Sequence, residues 1–503
     1  VRTIPALLAA AAREHQDRIW LRTDEIELSF AAAWRQVAAL ARRLEELGVR
    51  PGQPLVITAR STPQHLLVIL AATTLGAIAV PTDPRSTAAE LSGLLHQLRG
   101  EVRFVADAEA IGTVRRVQAT ALLLEDLTSA AVDLGDDPPY PVDESDVAIM
   151  IPTSGTTGRA KLVMQTHRAY VLAGEGFPFW MGLDSTDRLM TALPLFHTNA
   201  LAYSTMGSLA CGAGLVLLPR FSASTFLESA RRHGATSFNA VGAMLEFLMA
   251  QEPDAGSPLR SCYSAPAPDA ARHREIEKRL GIELVCGYGL SESLYGLSWR
   301  RGTRPFGTLG HLRQHPTLGA VNQARVVDPQ GADCAPGQQG ELLLRNPAVA
   351  TGYYGLPEET AATFQDGWVR TGDLVTENED GTYTFVARLK EVIRRRGENL
   401  SPGEVEEALR ACPEVLDCAV AGVPAGPFEE EVKAFVRLVP GAVATPADLA
   451  ARLGLRLAAF KIPRFWQFVD DLPYTPTGRV AKHRLPTEGA EHDLATTIGE
   501  AHA

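Results

Sequence analysis

No apolar run in the chain reaches membrane length. The longest, 66–81, is broken by Thr73, Thr74 and Gly76, which suits a core helix followed by a buried strand better than a span of about 20 apolar residues. Cysteine is sparse: the six, at 211, 262, 286, 334, 412 and 418, form no C-x-x-C pair and no metal-like spacing. Reduced thiols in a cytoplasm are therefore expected. Basic residues are outnumbered, 48 Lys and Arg against 59 Asp and Glu, for a formal net charge of −11. That balance argues against nucleic acid or an anionic membrane surface as the main partner. The apolar stretch 4–12 is brief and runs into Arg13-Glu14-His15, the pattern of an ordinary helix rather than a signal peptide.

What is present is a soluble globular composition, 46% hydrophobic and 21% charged over 503 residues. This length exceeds one hydrophobic core and predicts two or more domains. Phe30, Trp34, Val37, Ala41, Leu44 and Leu47 recur at helical spacing, with Arg42, Arg43, Glu45 and Glu46 on the other face and Gly48 and Pro51 as the stop. Strand-like runs at 55–58, 77–80 and 102–105 alternate with helical patterns at 64–75 and 88–98. The alternation resumes at 215–218, 225–233, 237–241, 244–251, 269–280 and 283–285. Such alternation predicts parallel sheet. Between 318 and 345 the texture changes to short runs (324–327, 341–344) joined by Asp328-Pro-Gln-Gly331 and Pro336-Gly337, turn chemistry for a small antiparallel β subdomain. A helix at 402–409 opens a compact α+β domain, and disorder is expected from Glu488 onward.

The most informative stretch is Thr153-Ser154-Gly155-Thr156-Thr157-Gly158-Arg159-Ala160-Lys161. Glycine permits close backbone approach, the hydroxyls donate to phosphate oxygens, and the lysine adds a point charge. Taken alone, it could equally be a polar loop between a strand and its neighbour. Its spacing does not fit G-x-x-x-x-G-K-[ST], so a Walker A grip is excluded.

The stretch resembles the phosphate-binding loop of the adenylate-forming superfamily, which includes acyl- and aryl-CoA synthetases, luciferases and peptide-synthetase adenylation domains. Other motifs follow in the family's order over nearly the whole chain. Gly287-Tyr288-Gly289-Leu290-Ser291-Glu292 matches Tyr-Gly-x-Thr-Glu with Ser291 for threonine. The resemblance implies that Tyr288 stacks on adenine, Ser291 touches the α-phosphate and Glu292 holds Mg2+. Tyr263-Ser264-Ala265-Pro266 falls where an adenine-flanking loop lies, and Thr371-Gly372-Asp373, preceded by Asp366-Gly-Trp368, matches the ribose-binding element. Pro194-Leu-Phe-His197-Thr-Asn199 resembles the border of the acid pocket, although a lone histidine at a strand end is more often structural.

By the same resemblance Arg388 reaches ribose or phosphate, and Lys390 is the hinge of a mobile C-terminal lid whose Gly397 loop faces CoA. Arg394-Arg395-Arg396 is either a solvated charge run or a CoA phosphate contact. The implied division is 1–388 for the large α/β domain, 389–390 for the hinge, 391–487 for the α+β lid and 488–503 for a disordered tail. Pro473-Tyr-Thr-Pro-Thr-Gly478-Arg479-Val-Ala-Lys482 departs from the pattern, because Arg479 stands where relatives have the catalytic lysine. Arginine keeps the charge but is wider, so Arg479, Lys482 or both would act. Ala160 and Leu162 replace the usual Pro and Gly.

The implied reaction is ATP- and Mg2+-dependent activation of a small acid as its adenylate, with release of pyrophosphate and transfer to CoA. The motifs look most like carnitine/crotonobetaine and aryl-acid CoA ligases. Three alternatives share the same ATP contacts: adenylation of nitrite with attack by an aryl amine, loading of a carrier protein, and a nucleotide-binding protein that has lost turnover. A monomer and a homodimer are equally compatible with the sequence.

Overall fold

The computed structural model describes residues 1–127, 140–153, 161–252, 256–265, 267–395, 398–426, 429–457, 459–475, 480–486 and 492–494. The chain forms two compact units, 1–324 with 343–371, and 325–342 with 372–503.

Two sheets build the first unit. One runs Gly352–Tyr353, Lys161–Thr166, Val147–Thr153, Ile78–Thr82, Pro54–Thr58, Arg103–Ala106, Leu122–Leu123. Its middle strands pair in parallel, and Pro54–Thr58 is buried at every residue, as a strand covered on both faces must be. The helix Pro63–Leu75 lies between two of them and is buried almost all round, which explains its unbroken apolar run. Thr62 caps it by accepting from the His65 N–H, Pro63 takes the first turn, and Gly76 ends it at φ 81°. The second sheet runs His311–Leu312, Ser293–Ser298, Glu283–Leu290, Ser261–Ser264, Ser237–Ala240, Arg188–Thr191, Gly214–Leu217, Ile19–Arg22, Glu27–Ser29. Its pairings from Glu283–Leu290 through Ile19–Arg22 are all parallel. The expected parallel α/β architecture is therefore observed, and the helix Phe30–Glu46 ends just before Gly48.

In the second unit, the part of Trp368–Glu377 from Gly372 onward pairs antiparallel with Tyr383–Arg388. A four-stranded sheet follows, Val415–Gly426, Glu429–Leu438, Phe465–Phe468, His492–Asp493. It packs with the helices Pro402–Arg410 and Pro446–Leu453 around Leu400, Val405, Leu409, Val432, Leu449 and Trp466.

Two expectations need correcting here. Disorder was expected from Glu488, yet His492–Asp493 pairs antiparallel with Phe465–Phe468. A two-pronged ion pair, Arg464 Nε and Nη2 to the Asp493 carboxylate at 3.0 and 2.9 Å, holds it. Arg395 is neither solvated nor presented to a phosphate: it is buried, paired with Glu431 at 2.7 Å and donating to the Ile462 carbonyl. All six cysteines are free thiols. Among the described residues no helix is long and apolar enough to cross a membrane.

Two histidines in the first unit are held neutral. Burial presses His65 and His167 down to about 4 from an ordinary 6.5. His65 Nδ1 donates to the Arg60 carbonyl, and His167 Nδ1 accepts from the Ile4 N–H. The unfolded chain protonates both below about pH 6.5, the native chain only below about 4, so stability is full above 6.5 and falls as pH drops through that window. Urea unfolding from pH 7 to 4 is expected to show this slope, up to about 1.4 kcal/mol per pH unit for each histidine, and H65N is expected to remove its share.

Candidate active site

The carboxyl ends of parallel strands are where open α/β sheets place their ligands, and the first unit's expected site residues fall there. Thr153 closes Val147–Thr153, His197 follows Arg188–Thr191, Ala265 follows Ser261–Ser264, and Ser291 follows Glu283–Leu290. Thr153 stands opposite Lys161 in an antiparallel hairpin, with Thr153 Oγ1 donating to the Lys161 carbonyl at 3.2 Å. This pair forms the root of the glycine-rich loop. Ser154, Gly155, Thr156, Thr157 and Gly158 lie outside the described residues, as do Pro266, Gly397 and Arg479.

The Tyr288 motif runs along Glu283–Leu290, which turns back antiparallel into Ser293–Ser298 with Leu290 opposite Ser293. Ser291 and Glu292 are thus the two central residues of a tight turn. Three contacts fix it. Gln165 Nε2 donates to the Ser291 carbonyl at 2.6 Å, the Ala350 N–H donates to the Glu292 carbonyl at 2.8 Å, and Tyr353 Oη donates to Glu292 Oε1 at 2.8 Å. Tyr353 comes from Gly352–Tyr353, paired with Lys161–Thr166, and the Lys161 ammonium lies 4.5 Å from its ring centroid. Lys161 and Glu292, 131 positions apart in sequence, therefore share one tyrosine. Burial raises the Tyr353 phenol, as does the Glu292 charge, so it remains a donor. The Ser291 hydroxyl is 3.5 Å from Thr198 Oγ1.

His197 is half-buried against Phe196, with ring centroids 4.6 Å apart. Burial presses its pKa down to about 4, outweighing Asp83, which raises it, while Arg85 lowers it. It is neutral near pH 7, and its Nε2 has no partner among the described residues. A wide π-helical segment, Asn199–Thr205, follows it, a geometry common at functional sites. Ser264 stands opposite Cys286, one residue before Gly287.

In the second unit Asp373 is fully buried and stands opposite Arg388, whose Nε is 2.8 Å from Asp373 Oδ1. Lys390 follows, exposed, after a bond from the Leu389 N–H to the Gly372 carbonyl. Lys482 Nζ lies 2.7 Å from Glu406 Oε1 and 3.4 Å from Glu391 Oε2. Glu406 Oε1 also accepts from the Val420 N–H.

Sequence reasoning missed Gln165 and Tyr353. Neither sits in a spacing pattern that marks chemistry, and only the fold brings them to the motif residues.

No group of three or more His, Cys, Asp or Glu that could hold a metal occurs among the described residues. A lone carboxylate with one free oxygen still fits Mg2+, which completes its shell with substrate phosphates and water.

Residues 8–354 match the AMP-binding enzyme family and residues 404–479 its C-terminal domain. The chain belongs to the AMP-binding enzymes. Among its relatives, the sulfoacetate-CoA ligase of Cupriavidus necator is 31% identical over 96% of this chain and 97% of its own. The feruloyl-CoA synthase of an Amycolatopsis species is 32% identical over 90% and 92%. The crystal structure of ATP-bound MatB from Rhodopseudomonas palustris aligns with a TM-score of 0.87 at 27% identity, covering 95% of this chain and 97% of MatB. As an AMP-binding enzyme the protein is an ATP-dependent, AMP-forming acid ligase.

Tyr353 is a positioning residue for Glu292. Y353F is expected to raise the Mg2+ concentration for half-maximal activity and to lower kcat/KM for ATP roughly tenfold, the scale of one hydrogen bond to a charged group. A magnesium titration at fixed ATP checks it.

Proposed function

We propose that the protein joins a small organic acid to CoA through an acyl-adenylate. A carboxylate oxygen attacks the α-phosphorus of ATP, and the bond to pyrophosphate breaks. The CoA sulfur then attacks the acyl carbon, the bond to AMP breaks, and the thiol proton passes to solvent. The observation that carries this reading is the Ser291-Glu292 turn joined through Tyr353 to the root of the glycine-rich loop.

The 153–161 loop with Lys161 receives the outer phosphates, Ser291 the α-phosphate, and Tyr288 the adenine, flanked by Ser264, Ala265, Pro266, Gly287 and Gly289. Glu292 holds Mg2+, which supplies neutralisation of phosphate charge. Asp373 accepts from the ribose hydroxyls, where a charged acceptor gives short, firm bonds, and Arg388 steadies it from the next strand. Neutral His197 borders the acid without adding charge. Catalysis by such a site is chiefly positioning and preorganised charge. A turn of the lid about 389–390, bringing the Gly397 loop to CoA, separates the two half-reactions.

For the lid cation we favour Arg479. Lys482 is engaged by Glu406 and Glu391, and all three residues lie in one compact unit, so these pairs persist in any pose of that unit. R479A is expected to slow adenylation at least about a hundredfold, the scale of one transition-state donor. K482A is expected to cost about 1–3 kcal/mol of stability, because buried Glu406 loses its nearer cation and keeps only Arg410, at 3.6 Å from its other oxygen. Pyrophosphate release and thermal unfolding of both variants check this. The overall reading requires AMP and pyrophosphate as products and CoA consumption matching them, and ADP would overturn it. Nitrite with aryl amines, and a carrier protein in place of CoA, are the control arms.

A further inference from the structure

Arg313 is 2% exposed, and among the described residues no carboxylate pairs with it. Its Nη1 donates to Tyr203 Oη at 2.6 Å and to the Leu294 carbonyl at 3.0 Å, its Nη2 donates to Tyr263 Oη, and its Nε has no partner. Rings surround it, with centroids of Trp180, Tyr203 and Tyr263 at 4.4, 5.0 and 5.7 Å. Guanidinium does not deprotonate in proteins. Rings and neutral oxygens soften the burial of this charge but do not cancel it, and buried charges are normally matched by an opposite one.

The location makes the missing anion informative. Gly287 and Gly289 flank Tyr288, and being two apart they share the face opposite to it. A methyl group on Gly287 would overlap Tyr263 Oη and stand 2.8 Å from Arg313 Nη2, and one on Gly289 would stand 3.2 Å from Tyr203 Oη and 3.7 Å from Arg313 Nη1. The guanidinium and the two phenols thus lie directly against the backbone of the adenine motif. Tyr203 ends its reach in a bond to the Leu294 carbonyl at 2.9 Å, and Phe177 stacks on its ring at 5.4 Å. Phe177, Trp180, Tyr203 and Tyr263 pack edge to face around the guanidinium, so rings fill the space behind the glycines.

We propose that Arg313, held by Tyr203 and Tyr263, is the specificity-determining residue at the closed end of the acid pocket, and that the substrate is a short acid carrying a second anionic group. One end of the acid is adenylated near Ser291 and His197, while the other supplies the countercharge that Arg313 lacks. This rests on the acid-activating function proposed above.

Pyrophosphate release is to be compared for short dicarboxylates and sulfonated carboxylates against uncharged isosteres of equal length, such as half-esters and monocarboxylates, with nitrite as a separate arm. The wild-type enzyme is expected to favour the dianion at least a hundredfold in kcat/KM. R313M is expected to abolish that preference by lowering kcat/KM for the dianion at least a hundredfold more than for the monoanion, and R313K to retain part of the preference. Equal turnover of both charge types, or a preference for nitrite or for an aryl acid, overturns the proposal even if no variant folds. A wild-type enzyme that releases no pyrophosphate with any acid overturns instead the acid-activating function. Loss of both activities in R313M together with a lowered Tm, beside an unselective wild type, would make Arg313 a packing residue.

Discussion

One two-residue turn joins the two sheets of the first unit. Ser291 and Glu292 join two strands of the nine-stranded sheet, and the side chains of Gln165 and Tyr353 that hold them come from the two outermost strands at one edge of the seven-stranded one, with Ala350 just before that edge. Two of the three bonds grip backbone carbonyls, so the turn's shape does not depend on which side chains it carries. The third aims the carboxylate. Lys161 against the same tyrosine puts the root of the glycine-rich stretch and the Glu292 carboxylate in one arrangement. A ligand meeting both therefore finds them already at a fixed separation, and little ordering remains to be done when it binds.

Much of this was legible in the chain. Long helices such as Phe30–Glu46 and Pro63–Leu75 carry their caps and stops locally, and buried parallel strands announce themselves as short apolar runs. The motifs stand out in the chain because glycines and hydroxyls in that order leave a backbone open to close approach by an anion. What escaped is what depends on partners distant in sequence. Tyr353 and Gln165 look like ordinary strand residues until Glu292 and Ser291 arrive beside them. Arg395 sits within a basic run, and nothing local says that Glu431 will bury it. The wide helix Asn199–Thr205 has no composition that separates it from an α-helix.

Arginine and lysine close on carboxylates throughout both units, but two cations beside the motif residues of the first meet rings. In the second, cations mostly close on their own carboxylates: Arg395 on Glu431, Lys461 on Glu404, Arg452 on Glu414, Lys482 on Glu406. Pairs of this kind, several of them partly exposed, contribute little stability each, but they fix where side chains point. In the first unit the cations nearest the motif residues meet rings instead, Lys161 on Tyr353 and Arg313 on Trp180, Tyr203 and Tyr263. An aromatic face attracts positive charge without neutralising it, so the field of these groups stays available to an incoming anion.

The strand His492–Asp493 contributes only two residues, yet it lies along the outer side of Phe465–Phe468, whose sequence is Phe-Trp-Gln-Phe. An aromatic strand with open amides is a template on which another molecule can build. The Arg464 to Asp493 fork thus does more than anchor a short strand: it holds His492–Asp493 across Phe465 and Trp466, half of a rim whose amides would otherwise be open to a neighbouring strand.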